Sequence, residues 1–596
     1  MRGAGRVSHG IYPIATLHRY HAAISQGNAM HRLQRAPIKE ALLILYLVAD
    51  GGNLADRVIS LGLSPSLGLF AGFYVVLAGA LWVASRLASS LLRWTIGALL
   101  FAAAAFLGAS ERILDDHLTY DGFLNLIGSA GFAGDAMAEH GLRIGAEILA
   151  ALPLLLAIGF APRSKRRFGA RWAAMPLGAL GLLSGMLFER GGDGPPGHPG
   201  AFTPLAYLTL ATGEELASDG KRRPVTMQPQ AVAGTGDIVL IVDESIAARY
   251  LDLADPVGVR TGLLTPPPGI AVHNFGVAAS ITNCSLGTNL TLRHGGTREN
   301  YMALNASGPA IWDYARKAGF VPVYIDAQRT GGGLHNGMNA AERARIERFI
   351  QFDDVPVEER DHAAADRIAR LLANGRREFI LVNKVGAHFP VPDNYPATPA
   401  ALRPALPRGR SLGVADTGSR DGFDGSAEQW RRYRNAYRNT LLWKVGGFFE
   451  RLMAPGTLHG ATILYTADHG QDLHERDGGG VHTHCSAHPV AEEGAVPLAV
   501  LTDAGAAGGW PDVAKLNRDR ASHYQLFPTI LAMMGYRETA VRAEYGDSLH
   551  APLAGELRFN TRFNARLGRK PEWKGIDAAA LARPPREDGG PAVAAR

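Results

Sequence analysis

The stretch GDIVLIVDES at 236–245 decides the fold of the larger part of this chain. Its core, DIVLIV at 237–242, is too short for a buried helix and too continuously apolar for a half-exposed strand, so it reads as a strand buried on both faces. The apolar run stops abruptly at Asp243, Glu244 and Ser245. ATILYTADHG at 461–470 repeats the arrangement, with an apolar strand over 462–466 followed by Asp468, His469 and Gly470. Between the two, a helix over 311–318 runs into a strand over 321–325, and another strand covers 379–385. Strands alternating with helices predict a parallel or mostly parallel α/β sheet, whose sites form beyond the carboxyl ends of the strands.

Carboxylates and an imidazole at the ends of buried strands are costly to desolvate unless a cation or hydrogen bonds compensate. Two such clusters on one sheet point to a metal held by Glu244, Asp468 and His469, with Asp243 as an additional candidate ligand. Mixed oxygen and nitrogen donors suit Zn2+, or Mn2+, better than Ca2+, which prefers oxygen alone. A third cluster, TNCSLGT at 282–288, precedes a helix expected from Asn289. A hydroxyl at a helix N-terminus beside a metal is where a nucleophile for phosphoryl chemistry belongs: the metal lowers its pKa and free N–H groups steady the phosphate oxygens. Thr282, Ser285 and Thr288 compete for that role, and each taken alone is an ordinary helix-capping residue. The fourth cluster is His388, beyond the strand at 379–385, with His482, His484 and His488 in the Gly-rich loop 478–490. These imidazoles suit a second metal, a phosphate or the protonation of a leaving oxygen. The two cysteines of the chain, Cys284 and Cys485, fall in the nucleophile loop and the histidine loop. A disulfide, a thiolate ligand and chance placement are all open readings of that pattern.

The first third of the chain is different in kind. Apolar stretches over 64–85, 91–109, 142–161 and 172–188 each meet the roughly 20 residues a bilayer-spanning helix needs, and 41–63 is a weaker fifth span interrupted by Asp50, Gly51, Gly52 and Asn53. Lys and Arg gather before residue 40, at Arg86 and Arg93, and at Arg163, Lys165, Arg166, Arg167 and Arg171, which puts those segments on the cytoplasmic side. Acidic residues mark the intervening loops, Asp50–Asp56 in one and Glu111, Asp115, Asp116, Asp121, Asp135 and Glu139 in the other. An odd number of spans starting inside then places everything after Phe188 outside the cytoplasm.

Composition agrees with this division. The 596 residues are 47% hydrophobic and 19% charged, apolar for a soluble protein of this size. The net charge of +6 sits largely in the first forty residues, the 163–171 cluster and the C-terminal stretch, where topology signals and solvated tails collect, so nucleic-acid binding is not expected. The organisation expected is a cytoplasmic N-terminal segment (1–40), a transmembrane domain (41–190), a linker with an interfacial helix over 201–219 (191–230), an extracytoplasmic catalytic domain (231–555) and a C-terminal tail (556–596).

Taken in order, GDIVLIVDES, SITNCSLGTN, VNKVGAHFP, YTADHGQDLHE and the later VHTHC and AVPLAV resemble the sulfatase-like branch of the alkaline phosphatase superfamily. They are most similar to membrane-anchored phosphoethanolamine transferases, over roughly 236–536. The resemblance implies an α-helical transmembrane bundle of about five helices followed by a periplasmic α/β domain, in a bacterial inner membrane. It implies that Glu244, Asp468 and His469 bind zinc together with the hydroxyl nucleophile, and that His388 with His482 or His484 binds the phospho-substrate or a second metal. It further implies a ping-pong transfer of phosphoethanolamine from phosphatidylethanolamine to lipid A or another envelope glycan. The sequence departs from the family in two places. Asp243 stands where the family usually has Gly, and Ser285 directly follows Cys284, where the family has Cys, Gly, Thr. The cysteine just ahead of the family's nucleophile favours Ser285 over Thr288 and Thr282. A phosphoglycerol transferase, a membrane-bound sulfatase or phosphodiesterase, and a non-enzymatic membrane regulator are the alternative functions; the usual sulfatase pattern of Cys or Ser, one residue, Pro, Ser, Arg is absent.

Overall fold

The computed structural model describes residues 38–114, 117–128, 133–162, 167–192, 194, 196–217, 221–230, 236–398, 401–408, 423, 425–475, 483–486, 488–506, 508–565 and 567–581. The chain divides into two compact units. The first comprises Met1–Ala105, Ala146–Leu182 and Pro195–Thr203, and the second Phe106–Gly145, Leu183–Gly194 and Pro204–Arg596.

Four helices among the described residues are long and apolar enough to cross a membrane: Pro65–Ser85, Ser90–Ile113, His140–Gly159 and Ala170–Glu189. The fifth expected span does not form as one helix. It is split into Ile38–Ala49 and Gly52–Leu61, parted at Asp50 and Gly51. Twelve helical residues rise only about 18 Å, short of the roughly 30 Å apolar core of a bilayer. The break has its own partners in the first unit: Asp50 accepts a hydrogen bond from the Gly200 N–H at 2.8 Å and the Tyr46 hydroxyl accepts one from Ala201 N–H at 3.1 Å. At the other end of this unit Arg93 is buried and satisfied by backbone, donating to the carbonyls of Leu87, Ala88 and Gly159.

The second unit is built on a seven-stranded sheet in the order β2-β7-β6-β1-β5-β3-β4. The strands are β1 (Ile238–Asp243), β2 (Ile270–Ala279), β3 (Val321–Asp326), β4 (Arg348–Ile350), β5 (Glu378–Asn383), β6 (Thr462–Ala467) and β7 (Ala495–Asp503). The run β6-β1-β5-β3-β4 is parallel throughout, and β7 is antiparallel to both β6 and β2. All six residues of β1 and of β5 are buried, which is what a central strand covered on both faces requires. Helices such as Ile311–Lys317, Arg360–Leu372 and Leu526–Met533 supply the covering layers.

Two boundaries differ from the sequence expectation. The helix after the third cluster begins at Ser285, not Asn289, and runs to His294 with Cys284 in extended conformation at its N-cap. The expected tail is not separate: Arg558–Asn560 pairs with Trp573–Gly575, and Phe559 is fully buried, packed so closely on Gly494 that a Cβ there would lie 2.1 Å from its ring. The short strands and scattered apolar residues of this segment carry no periodicity that would reveal them in sequence. The helix expected over 201–219 runs Thr203–Ala217.

Candidate active site

β1 and β6 are direct neighbours, in register up to the pair Asp243 and Ala467. Both strands therefore end at one level, and the residues that follow leave the sheet side by side. Asp468 N–H donates to the Asp243 carbonyl at 2.8 Å, and Ser245 N–H donates to Asp468 Oδ1 at 3.0 Å. These bonds stitch the two strand ends together and turn Glu244, Asp468 and His469 inward. All three are buried, and ligand atoms of the three lie within 4.8 Å of one another. His469 Nε2 is 3.4 Å from Glu244 Oε1 and 3.7 Å from Asp468 Oδ2. Its other nitrogen, Nδ1, is 2.8 Å from the Gly470 carbonyl. A carbonyl only accepts, so Nδ1 carries a proton and Nε2 is the nitrogen that faces the carboxylates, the orientation typical of a metal-bound imidazole.

Ser285 completes the cluster. As the first residue of its helix it places Oγ 3.2 Å from Glu244 Oε1 and 3.2 Å from His469 Nε2. The other two hydroxyls are engaged elsewhere. Thr288 Oγ1 donates to the Thr282 carbonyl and accepts from the Thr282 N–H, both at 3.3 Å, which closes the turn beneath the helix. Thr282 Oγ1 donates to Asn283 Oδ1.

Asp243 is not part of the inward-facing group. Its Oδ2 pairs with the Lys384 ammonium and accepts from the Tyr465 hydroxyl at 3.2 Å, because alternation along the strand sends it to the opposite side from Glu244. His388 follows β5, with its Nδ1 2.6 Å from the Phe389 carbonyl. His484 stacks on His469 with ring centroids 4.5 Å apart and 17° between planes. His482 lies outside the described residues, and His488 is exposed. The two cysteines are joined in a disulfide. Cys485 N–H also donates to the Asn283 carbonyl, while buried Glu493 accepts from Asn283 Nδ2 at 2.8 Å and from the Ser486 hydroxyl at 2.6 Å. The loop bearing His484 is thus fastened directly to the loop bearing Ser285.

Two further residues touch the cluster without having been singled out in the sequence. Ser245 Oγ donates to Glu244 Oε1 at 2.8 Å. Gln328 Nε2 donates to Glu244 Oε2 at 2.9 Å. Gln328 stands two residues beyond β3, so the rule that sites form at carboxyl strand ends was the signal available for it.

The electrostatics are those of a site short of positive charge. Burial, reinforced by Glu244, raises the Asp468 carboxyl to about 7. Burial opposes charge on His469, but Asp468 and Glu244 outweigh it and lift the imidazole to about 10. Glu244 is held well below its usual range, the bonds and charge of His469 overcoming the burial penalty. Asp468 Oδ2 is buried and accepts no hydrogen bond from the described residues. Such a buried carboxylate oxygen, beside a second carboxylate, an imidazole nitrogen and a hydroxyl, fits a divalent transition metal.

A sequence model of the sulfatase family matches residues 237–536, and the chain belongs to that family. Within it, the fold extends beyond the catalytic unit. The chain is similar to the integral membrane protein lipooligosaccharide phosphoethanolamine transferase A (EptA) from Neisseria meningitidis, at 16% identity and TM-score 0.58, with 85% of this chain and 96% of that chain covered. It is also similar to the zinc complex of the C-terminal periplasmic domain of EcEptC from Escherichia coli, at 14% identity and TM-score 0.44, covering 60% of this chain and 97% of that one. No curated protein matches the chain.

Proposed function

We propose that this protein is a metal-dependent phosphotransferase that moves phosphoethanolamine from phosphatidylethanolamine to lipid A or another envelope glycan through a phospho-enzyme at Ser285. The observation that carries the reading is the position of Ser285 Oγ, 3.2 Å from both Glu244 Oε1 and His469 Nε2 at the start of a helix. Glu244, Asp468, His469 and Ser285 would hold the cation, and this donor set suits Zn2+ best, with Mn2+ second. When bound, the cation lowers the pKa of the hydroxyl and offsets negative charge on the phosphoryl oxygens.

The chain's own groups account for the rest. Ser285 Oγ, its proton directed to Glu244 Oε1, attacks the phosphorus of the donor, forming an O–P bond as the bond from phosphorus to the glycerol oxygen breaks. Diacylglycerol leaves as the alcohol, taking up a proton. An acceptor hydroxyl or phosphate then attacks the same phosphorus, and the Ser285 O–P bond breaks. The N–H groups of the first helical turn after Cys284, which have no acceptor within the helix, would receive the phosphoryl oxygens. His388 and His484, with His482 by sequence, are assigned to the phosphate and the leaving-oxygen proton.

A lipid donor suits a chain with four helices, among the described residues, long and apolar enough to cross a membrane, and a lipid-linked glycan acceptor suits its likeness to the lipooligosaccharide phosphoethanolamine transferase of Neisseria meningitidis. The compartment follows from the loops. With the basic 162–171 segment cytoplasmic, the span Ala170–Glu189 leads outward, so the catalytic unit lies in the periplasm whether or not the helices before Pro65 cross.

The test is mass spectrometry of lipid A and of total lipid after incubating the full-length protein with phosphatidylethanolamine. Addition of phosphoethanolamine to the acceptor with release of diacylglycerol is expected. Transfer from phosphatidylglycerol instead would make it a phosphoglycerol transferase. Hydrolysis of sulfate or phosphate esters without transfer would make it a sulfatase or phosphodiesterase.

A further inference from the structure

Lys384 follows β5 within VNKVGAH, and its side chain is completely buried. A buried ammonium persists only when it is paired and hydrogen-bonded. Lys384 Nζ donates to Asp243 Oδ2 and, at 2.9 Å, to the Lys444 carbonyl. Asp361 lies 4.0 Å from both Lys384 Nζ and Lys444 Nζ, and its two oxygens accept the N–H groups of Val385 and Gly386. Two buried lysines thus face two buried aspartates beneath the cluster.

What distinguishes Lys384 is that it reaches Glu244 twice. Through its side chain it fixes Asp243, whose Oδ1 accepts the Glu244 N–H at 3.1 Å. Through its carbonyl it accepts from Gln328 Nε2 at 2.8 Å, and the same Nε2 donates to Glu244 Oε2. The backbone bonds Lys384 N–H to the Val242 carbonyl and Ala387 N–H to the Glu244 carbonyl keep the two segments in contact. Between them Gly386 has φ +54, and a Cβ there would lie 2.4 Å from Asp243 Oδ1 and 2.5 Å from the Glu244 carbonyl oxygen.

We propose that Lys384, acting through Asp243 and Gln328, is the positioning residue that fixes both the backbone and the carboxylate of Glu244 for metal binding. Asp243 is then the partner that makes a lysine at 384 usable. The inference rests on the metal-site reading above. Groups that orient a ligand typically change metal affinity 10- to 100-fold when lost, whereas an ion pair that only fills the core can be replaced by apolar residues with little loss of stability.

The test uses the full-length protein in detergent, with Zn2+ affinity measured against a chromophoric chelator and Tm measured on the same samples. In the double variant Lys384→Met with Asp243→Leu, no buried charge is orphaned between the two, and Tm near that of the parent with Zn2+ affinity lower by about tenfold or more is expected. Gln328→Ala removes the second route alone, and a loss of affinity at unchanged Tm is expected there too. Parent-like affinity in the folded double variant, or in Gln328→Ala should the double variant fail to fold, overturns the proposal. If the parent protein itself binds no Zn2+, it is the metal-site reading that fails.

Discussion

Ser285 Oγ and His469 Nε2 lie 3.2 Å apart although 184 residues separate them in the chain. The contact exists because the helix Ser285–His294 starts where β1 and β6 end, and because the turn closed by Thr288 holds that start in place.

The roles of the hydroxyls can be separated. Ser285→Ala is expected to abolish the trapped phospho-enzyme and to lower turnover by on the order of a thousandfold or more, since the covalent intermediate cannot form. Thr288→Ala is expected to keep the intermediate and to cost about 2 kcal/mol in stability, the usual worth of the two buried hydrogen bonds its hydroxyl makes. Intact-protein mass spectrometry after donor addition, with thermal melts, reads both. An active Ser285→Ala enzyme beside a dead Thr288→Ala enzyme would move the nucleophile to Thr288.

The pKa values around His469 give the metal affinity a definite pH dependence. Without a cation the imidazole, at about 10, keeps its proton at neutral pH, and a binding metal must displace it. Zn2+ affinity should therefore rise about tenfold per pH unit between roughly pH 7 and pH 9. It should change more steeply below about pH 7, where Asp468 is protonated as well. Chelator competition across that range checks the slope. The same protein should carry about one transition metal per chain, lost in Glu244→Ala; a flat profile or a metal-free parent would contradict the site.

What could be read beforehand was local. The apolar runs of β1 and β6 ending in acids and an imidazole, and hydroxyls gathered before a helix, are patterns within a few residues. The partners that refine the site are not local. Asp243 reads as a metal ligand until Lys384, 141 residues on, is seen to occupy it. Gln328 is marked in sequence only by its place two residues beyond β3, and nothing local ties it to Glu244. The helix start at Ser285 follows Cys284, which is extended and bonded to Cys485, 201 residues away. In the membrane part, Asp50 and Gly51 were visible as an interruption, but the bonds of Asp50 and Tyr46 to Gly200 and Ala201, about 150 residues on, were not.

Topology can be tested with reporters. A periplasm-active enzyme fused near Gly200 should be active, and one fused within the basic 162–171 loop should be silent. The opposite pattern would place the catalytic unit in the cytoplasm and remove its access to outer-leaflet lipid donors.

The disulfide offers the last test, because it joins the loop that presents Ser285 to the loop that presents His484. Three of the four groups assigned to the cation, Glu244, Asp468 and His469, lie outside this clasp, on the ends of β1 and β6. Replacing both cysteines by alanine should therefore leave Zn2+ affinity within a few-fold of the parent, while turnover falls because His484 loses its fixed place over His469. The fall should appear in kcat rather than in metal content, and His484→Ala alone should reproduce most of it. Adding His484→Ala to the cysteine-free protein should then cost little more, since groups that act as one unit are not additive. A full additive loss would show that the disulfide and His484 act on turnover separately.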